Sequence, residues 1–209
     1  MNRFRIFALL ILWIPNAVFA QTATQAELTK TLLILGDSLS AAYQMDEKQG
    51  WVALLQEKLK QEHPNWQVKN ASTAGDTTGN GLNRLPPLLE NPPDILLIEL
   101  GANDGMQAKP FEYTKNNLVQ IIQLAKAQKV QVFLTEMHVP PNFGAAFGKG
   151  FNAIFHQVAA QENIPLVPFF LDKINTNPDL VQADGLHPKA TAQPMIMESI
   201  YTALKQHLD

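Results

Sequence analysis

The stretch Leu32-Leu33-Ile34-Leu35-Gly36-Asp37-Ser38-Leu39-Ser40 decides the fold and points to one edge of it. Its first four residues form an uninterrupted apolar run, which is typical of a parallel strand covered on both faces. Polar residues follow at once, so they stand where the strand ends. In open sheets of parallel strands, ligands bind beyond the carboxyl ends of the strands. We therefore expect Ser38 to lie at a ligand-binding edge.

Further apolar runs predict four more strands, at residues 68–71, 95–100, 130–137 and 165–169. Amphipathic segments alternate with them, and the spacing of apolar residues predicts helices within residues 51–60, 81–89, 118–125, 147–158 and 196–204. Strands that alternate with helices are characteristic of an α/β fold. The sequence thus predicts a five-stranded parallel sheet with helices on both faces.

Composition excludes several classes of function. The 209 residues carry a formal net charge of −3 and contain no basic run, so nothing in the sequence indicates binding to nucleic acid. The chain has no cysteine, which excludes disulfides, thiolate nucleophiles and thiolate metal sites. We expect no cofactor, no bound metal and a monomeric protein whose partner is a small substrate.

The N-terminus has the pattern of a secretory signal. Arg3 and Arg5 precede an apolar run from Ile6 to Ile14, and a small residue, Ala20, ends the segment. We interpret residues 1–20 as a signal peptide, residues 21–30 as a polar leader and residues 31–209 as one domain, which predicts a periplasmic or secreted protein. An uncleaved anchor or a buried first strand is the alternative for the first segment, although the run is short for a membrane span.

Three later segments are also polar or rich in glycine, at residues 70–77, 99–104 and 184–188. Together with Ser38 they offer what acyl transfer requires. Ser38 is the candidate nucleophile, His187 the candidate general base, and Asp184 the group that orients the imidazole. The backbone amides of Ser38 and Gly75 and the side-chain amide of Asn103 are candidate donors to the oxyanion.

Other interpretations of these residues remain open. Ser38 could cap a following helix. His138, at the end of the fourth predicted strand, is the alternative base. Asp184 and His187 could be two metal ligands, although no third ligand of suitable spacing follows. The carboxylates near the site, Asp37, Asp76 and Asp104, are expected to hold turns, the first two by accepting hydrogen bonds from backbone amides. Glu99, within an apolar strand, needs a partner that the sequence does not identify.

Four blocks in order make the chain resemble the SGNH (GDSL) hydrolase superfamily. They are Gly36-Asp37-Ser38-Leu39-Ser40, Gly75, Gly101-Ala102-Asn103-Asp104 and Asp184-Gly185-Leu186-His187-Pro188. Within that superfamily, the sequence is similar to the bacterial multifunctional thioesterase, lysophospholipase and arylesterase group. Two positions depart from the pattern, because Ala42 and Ala102 stand where relatives often carry glycine.

The resemblance implies a three-layer, flavodoxin-like α/β/α fold and hydrolysis of short- to medium-chain esters, aryl esters, acyl thioesters and lysophospholipids. It also implies the roles given above for Ser38, Asp184 and His187, and oxyanion donors at residues 38, 75 and 103. Substrate-binding candidates in the two neighbouring loops are Met106, His138, Val139 and Phe143. Carbohydrate acetylesterase activity on the same fold and a non-catalytic, flavodoxin-like binding domain are the alternatives.

Overall fold

The computed structural model describes residues 29–208. The predicted signal peptide and most of the predicted leader lie outside the described residues. Five strands form one sheet in the order β2-β1-β3-β4-β5, and all of their pairings are parallel. The strands are β1 Lys30–Gly36, β2 Trp66–Asn70, β3 Ile95–Glu99, β4 Gln131–Thr135 and β5 Leu166–Val167. The prediction of a five-stranded parallel sheet is confirmed.

Within the described residues, seven α-helices connect or follow these strands. They are α1 Trp51–Glu62, α2 Thr78–Leu88, α3 Ala102–Met106, α4 Phe111–Ala127, α5 Ala145–Glu162, α6 Asp172–Asn175 and α7 Gln193–Leu204. Helix α1 packs against α7, while α4 packs against both α2 and α5. Because crossovers between parallel strands are right-handed, the reversal of direction after β2 places α1 on one face and α2, α4 and α5 on the other.

Burial explains why the apolar runs became strands. All of β3 is buried, and Leu32, Ile34 and Leu35 of β1 are fully inaccessible to solvent. The central strands carry apolar side chains on both faces because helices cover both. The largest buried side chains, among them Trp51, Phe133 and Phe155, fill the space between sheet and helices.

Some predicted boundaries are wrong at the sheet edge and at α2. The fifth strand pairs with β4 at Leu166 and Val167 only, since Pro168 has no N–H to continue the ladder. Helix α2 begins earlier than predicted because Thr77 and Asn80 form a reciprocal capping box at its N-terminus.

The strand order also positions the site. The connection from β1 leads to β2 on one side, whereas the connection from β3 leads to β4 on the other. The carboxyl ends of β1 and β3 therefore flank a topological switch point, where open α/β sheets bind their ligands. Ser38 follows β1, and Asn103 follows β3.

Candidate active site

Ser38, His187 and Asp184 form a continuous chain of hydrogen bonds, although the serine and the histidine are 149 positions apart. The Oγ atom of Ser38 lies 2.8 Å from Nε2 of His187, and Nδ1 of His187 lies 2.7 Å from Oδ2 of Asp184. An ionised carboxylate only accepts, so Nδ1 carries the proton and Nε2 is left to accept from the serine hydroxyl. The arrangement has the geometry of a nucleophile, a base and a group that orients the base.

The histidine is presented by a short loop, residues 181–188, which we call the base loop. An antiparallel bridge between Val181 and Pro188 closes it, and the backbone N–H of Gln182 donates to the carbonyl of His187 at 2.7 Å. Gly185 has a φ of +70°, a left-handed conformation that favours glycine. This conformation lets the loop turn tightly between the aspartate and the histidine.

Asp184 is held in its ionised form by the base loop itself. Its Oδ1 atom accepts the backbone N–H groups of Leu186 at 2.9 Å and His187 at 3.0 Å. Partial burial raises the pKa of this carboxyl, but the hydrogen bonds from the backbone and imidazole of His187 outweigh burial and lower the pKa to about 2. Asp184 is therefore a permanent acceptor for the imidazole near neutral pH.

Two of the three predicted oxyanion donors have no competing acceptor. The backbone amides of Ser38 and Gly75 donate to no residue within the described part of the chain. Gly75 has a φ of +84°, and a Cβ atom built there meets no atom within 4 Å. Glycine is therefore favoured at this position by the backbone conformation rather than by crowding within the protein.

Asn103 differs from the two backbone donors. Its Nδ2 atom donates to Oδ2 of Asp37 at 3.0 Å and to the carbonyl oxygen of Asp76 at 2.9 Å. An amide nitrogen has two hydrogens, so both are engaged. Donation from Asn103 to an oxyanion would require one of these bonds to be exchanged or shared.

Two buried carboxyls, those of Glu99 and Asp37, support residues 36–44, which we call the nucleophile turn. Oε2 of Glu99 accepts the hydroxyl of Ser40 at 2.6 Å and the backbone N–H of Asp37 at 3.3 Å. These are the partners that the sequence did not identify for Glu99. Burial and the neighbouring Asp37 raise the pKa of Glu99 well above its usual range. Among residues 29–208, Oε1 of Glu99 has no hydrogen-bond partner.

Asp37 is likewise buried. Burial raises its pKa to about 7, although hydrogen bonds from the Leu39 amide and the Asn103 side chain act in the opposite direction. The bond from Leu39 N to Oδ1, at 3.1 Å, is the turn-holding contact that the sequence predicts. The nucleophile turn thus rests on two carboxyls for which burial favours the protonated form.

The prediction for Asp76 is wrong. Its carboxylate does not bind backbone amides; Oδ2 instead accepts from the guanidinium of Arg84 through Nε at 2.8 Å and Nη2 at 2.5 Å. Arg84 lies on α2, so the pairing joins that helix to the end of the Gly75 loop. Asp104 does fix a helix end as expected, because it accepts the amide of Thr78 at 2.8 Å.

A cavity of about 370 Å³ opens beside the serine and the imidazole. Three of the substrate-binding candidates, Met106, His138 and Val139, line it, and Met137 and Phe169 contribute further apolar surface. Such a pocket, apolar with a few fixed polar groups, is typical of sites for small organic ligands.

Phe143 was also predicted to contact substrate, but the structure places it outside the lining of this cavity. Its ring stacks instead on Phe147 of α5, with centroids 5.8 Å apart. Phe143 ends the short 3-10 helix Pro141–Phe143, which is followed directly by α5.

His138, the alternative base, is bound elsewhere. Its Nε2 atom lies 3.0 Å from Oε1 of Glu136, and its ring stacks on Phe169 with centroids 4.1 Å apart. The imidazole within hydrogen-bonding distance of the Ser38 hydroxyl is that of His187. His138 therefore forms part of the cavity wall.

Comparison with known proteins agrees with this geometry. Residues 34–193 match the model of the GDSL-like Lipase/Acylhydrolase family. The chain belongs to this family. The matched residues span β1 through the start of α7, and so include each of the four blocks that form the site.

Curated members of the family cover nearly the same length. The chain is 44% identical to the esterase TesA of Pseudomonas aeruginosa over 87% of this chain and 91% of that protein. It is 42% identical to an arylesterase of Vibrio mimicus over 91% and 96% of the two chains. Identity to thioesterase 1/protease 1/lysophospholipase L1 of Escherichia coli K12 is 41%, over 83% of each chain.

A solved structure of a family member has the same fold. The psychrotrophic esterase EstA from Pseudoalteromonas sp., in a crystal structure inhibited by monoethylphosphonate, superposes with a TM-score of 0.82 at 41% identity. The match covers 86% of this chain and 98% of EstA. The chain is accordingly a serine hydrolase that acts on esters, and the alternative of a non-catalytic domain is excluded.

The described residues lack both a membrane-spanning helix and a cluster of metal-binding side chains. Within residues 29–208, no helix is both long enough and apolar enough to span a membrane. The same residues contain no group of three or more histidine, aspartate or glutamate side chains arranged to hold a metal ion.

Two residues near the site, Tyr43 and Gln182, had no role assigned to them from the sequence. The ring of Tyr43 lies against the imidazole of His187, and the side chain of Gln182 links the nucleophile turn to the base loop. Both contacts join positions about 140 residues apart, and neither residue type is by itself diagnostic. The capping pattern Thr77–Asn80 was the one local signal that could have been recognised, and it fixes α2 beside Gly75.

Proposed function

We propose that this chain is a periplasmic or secreted esterase that cleaves short- to medium-chain and aryl esters and lysophospholipids through an acyl-serine intermediate. The same acyl-serine chemistry can cleave acyl thioesters. The observation that carries the proposal is the Ser38–His187–Asp184 hydrogen-bond chain, with distances of 2.8 and 2.7 Å, beside an apolar cavity. The names of the curated relatives support the choice of substrates.

In the first half of the reaction, Oγ of Ser38 attacks the acyl carbon while Nε2 of His187 takes the hydroxyl proton. Asp184 accepts the Nδ1–H throughout and stabilises the imidazolium that forms. The negative charge on the former carbonyl oxygen is met by the amides of Ser38 and Gly75. As the tetrahedral adduct collapses, His187 returns the proton to the leaving oxygen or sulfur, and the acyl group remains on the serine.

In the second half, water replaces the leaving group. Nε2 of His187 takes a proton from the water as it attacks the acyl carbon, and then gives that proton to Oγ of Ser38. The carboxylic acid departs, and the triad returns to its starting state. Asn103 contributes in both halves by turning one of its two N–H groups from Asp37 or Asp76 to the oxyanion.

The proposed location rests on the N-terminal sequence. Basic residues, a short apolar run and a small residue at position 20 precede the first described residue. We expect the protein recovered from a periplasmic extract or the medium to begin at Gln21, and N-terminal mass spectrometry checks this. Recovery of the full-length chain with the membrane fraction would contradict it.

A substrate panel on the wild type and Ser38→Ala tests the enzymatic proposal. The panel holds nitrophenyl esters of increasing chain length, a lysophospholipid, an acyl thioester and an acetylated xylan. We expect Ser38→Ala to lose at least about 10⁴-fold in kcat on every substrate that is turned over. The matched control is Ser199→Ala, because the Ser199 hydroxyl is exposed and binds only the Met195 carbonyl of its own helix.

Two outcomes would overturn parts of the proposal. Turnover by Ser38→Ala close to wild type would reject the acyl-serine route. A steep preference for acetylated xylan over the longer acyl esters would reject the proposed substrates in favour of a carbohydrate acetylesterase.

A further inference from the structure

An aromatic ring covers the imidazole of the triad. The ring centroids of Tyr43 and His187 are 4.3 Å apart, and their planes are inclined by 34°, so the tyrosine presents mainly its face. The His187 side chain is 12% exposed, whereas that of Asp184 is 37% exposed. The tyrosine ring thus covers one face of the imidazole, and little of the imidazole is exposed to solvent.

The backbone on both sides of Tyr43 is strained. Ala42 has a φ of 53° and Gln44 a φ of 55°, so two residues with side chains adopt the left-handed region. Such conformations persist only where their surroundings impose them, and they cluster at functional sites. These two left-handed residues flank Tyr43, the residue of the nucleophile turn whose ring contacts His187.

A side-chain amide locks this arrangement to the base loop. Nε2 of Gln182 donates to the carbonyl of Tyr43 at 3.1 Å and to the carbonyl of Pro188 at 3.0 Å. The backbone N–H of the same glutamine donates to the carbonyl of His187. One residue therefore connects the peptide that carries the ring to the peptide that carries the imidazole.

We propose that Tyr43 is a positioning residue for the general base. Its ring holds the imidazole in the plane between Asp184 and Ser38, and its electron-rich face stabilises the positive charge that appears when Nε2 of His187 takes the serine proton. The phenol hydroxyl is not required, since its one hydrogen bond within the described residues comes from the exposed side chain of Gln44. This inference rests on the proposed triad.

The comparison of Tyr43→Phe with Tyr43→Leu tests it, because both keep bulk but only phenylalanine keeps a ring face. We expect Tyr43→Leu to lower kcat on a nitrophenyl ester about tenfold with KM within about twofold of wild type. Tyr43→Phe should restore kcat to within about twofold. Reaction of Ser38 with a phosphonate probe should slow in the same order, since it requires the same base.

The possible outcomes distinguish failure of the Tyr43 proposal from failure of the triad. Equal kcat in Tyr43→Leu and wild type, or an equal loss in both variants, would overturn the role of the ring. A rise in KM without a change in kcat would also overturn it, since that would show contact with substrate. Thermal melting of both variants establishes that the compared proteins are folded. Failure of wild-type Ser38 to react with the phosphonate would instead reject the triad itself, whatever the Tyr43 variants do.

Discussion

The nucleophile turn and the base loop meet at one acyl site, but they are held in opposite ways. The turn rests on Glu99 and Asp37, both buried, and burial raises the pKa of each carboxyl. The loop carries Asp184, which is partly exposed and whose pKa hydrogen bonds lower to about 2. Two aspartates of one active site therefore favour different charge states, and the environment rather than the residue type decides which.

This contrast separates stability from chemistry. Glu99 and Asp37, the two carboxyls that support the nucleophile turn, are buried and make contacts between residues far apart in the chain. Substitution of either residue should therefore alter the free energy of folding. The contacts of Asp184 lie within four consecutive residues, so a change there should leave the fold almost intact. The predictions below test this division, beginning with the largest expected effect.

Removing the base should cost far more activity than removing the neighbouring imidazole. We expect His187→Ala to lose about 10⁴-fold or more in kcat, because no other side chain in the described part of the chain is hydrogen-bonded to the Ser38 hydroxyl. His138→Ala is the matched control and should keep activity within about tenfold, since its ring forms cavity wall and binds Glu136. Steady-state kinetics on one ester checks both, and an equal collapse in the two variants would contradict the assignment of the base.

Breaking the Arg84–Asp76 pair should lower the stability of the fold where α2 joins the loop that carries Gly75. Arg84→Met leaves Asp76, whose side chain is 11% exposed, without its cation, and we expect a loss of about 2–3 kcal/mol in the free energy of unfolding. The control is Lys60→Met, which removes an exposed ion pair with Glu57 and should cost about 0.5 kcal/mol or less. Urea unfolding at neutral pH measures both, and similar losses would show that burial of the pair does not matter.

The sequence predicted the parts of this site that depend on local pattern. Apolar runs identified the strands because both faces of the central strands are buried. The blocks around Ser38, Asn103 and His187 were recognisable because each follows the end of a strand or precedes the last helix. Convergence of these blocks at one edge followed from parallel topology alone.

What the sequence did not predict depends on contacts between distant residues. The Arg84 partner of Asp76 and the Ser40 partner of Glu99 become visible only once the sheet brings them together. Phe143 was placed in the pocket because it follows β4, but its ring stacks on Phe147 of α5. The sequence motif marks Asp37 and Asp184 alike, yet only the folded environment gives them opposite pKa shifts.

The buried carboxyls should give stability an unusual dependence on pH. A carboxyl whose pKa is raised in the folded state keeps its proton while the unfolded chain releases it, so stability falls as pH rises from about 4 through 7. The slope approaches about 1.4 kcal/mol per pH unit for each proton retained. Carboxyls with lowered pKa, such as Asp184, change stability in the opposite sense, but below this range.

Glu99→Gln isolates this effect, since the amide keeps the shape of the protonated acid. We expect the variant to match wild type near pH 5 and to be more stable than wild type at pH 7.5, with a flatter profile in urea unfolding. Glu57→Gln, on the exposed face of α1, is the control and should follow the wild-type curve. Parallel curves for wild type and Glu99→Gln would show that Glu99 does not retain a proton in the folded protein.

The smallest expected effect on stability is at Asp184, although this residue is in the triad. In Asp184→Asn the side-chain oxygen can still accept the backbone amides of Leu186 and His187, and the 37% exposure of the native side chain means that little solvation changes. The carboxylate loses its charge-assisted bond to the imidazole, but exposure weakens that contribution, so we expect the free energy of unfolding at pH 7 to fall by about 1 kcal/mol or less, below the loss in Arg84→Met. The amide cannot fix the imidazole as the carboxylate does, so turnover should fall even though the fold persists. A loss of stability as large as that of Arg84→Met would mean that the contacts of Asp184 stabilise the fold as much as the largely buried Arg84–Asp76 pair does, and the expectation that a change in the base loop leaves the fold almost intact would fail.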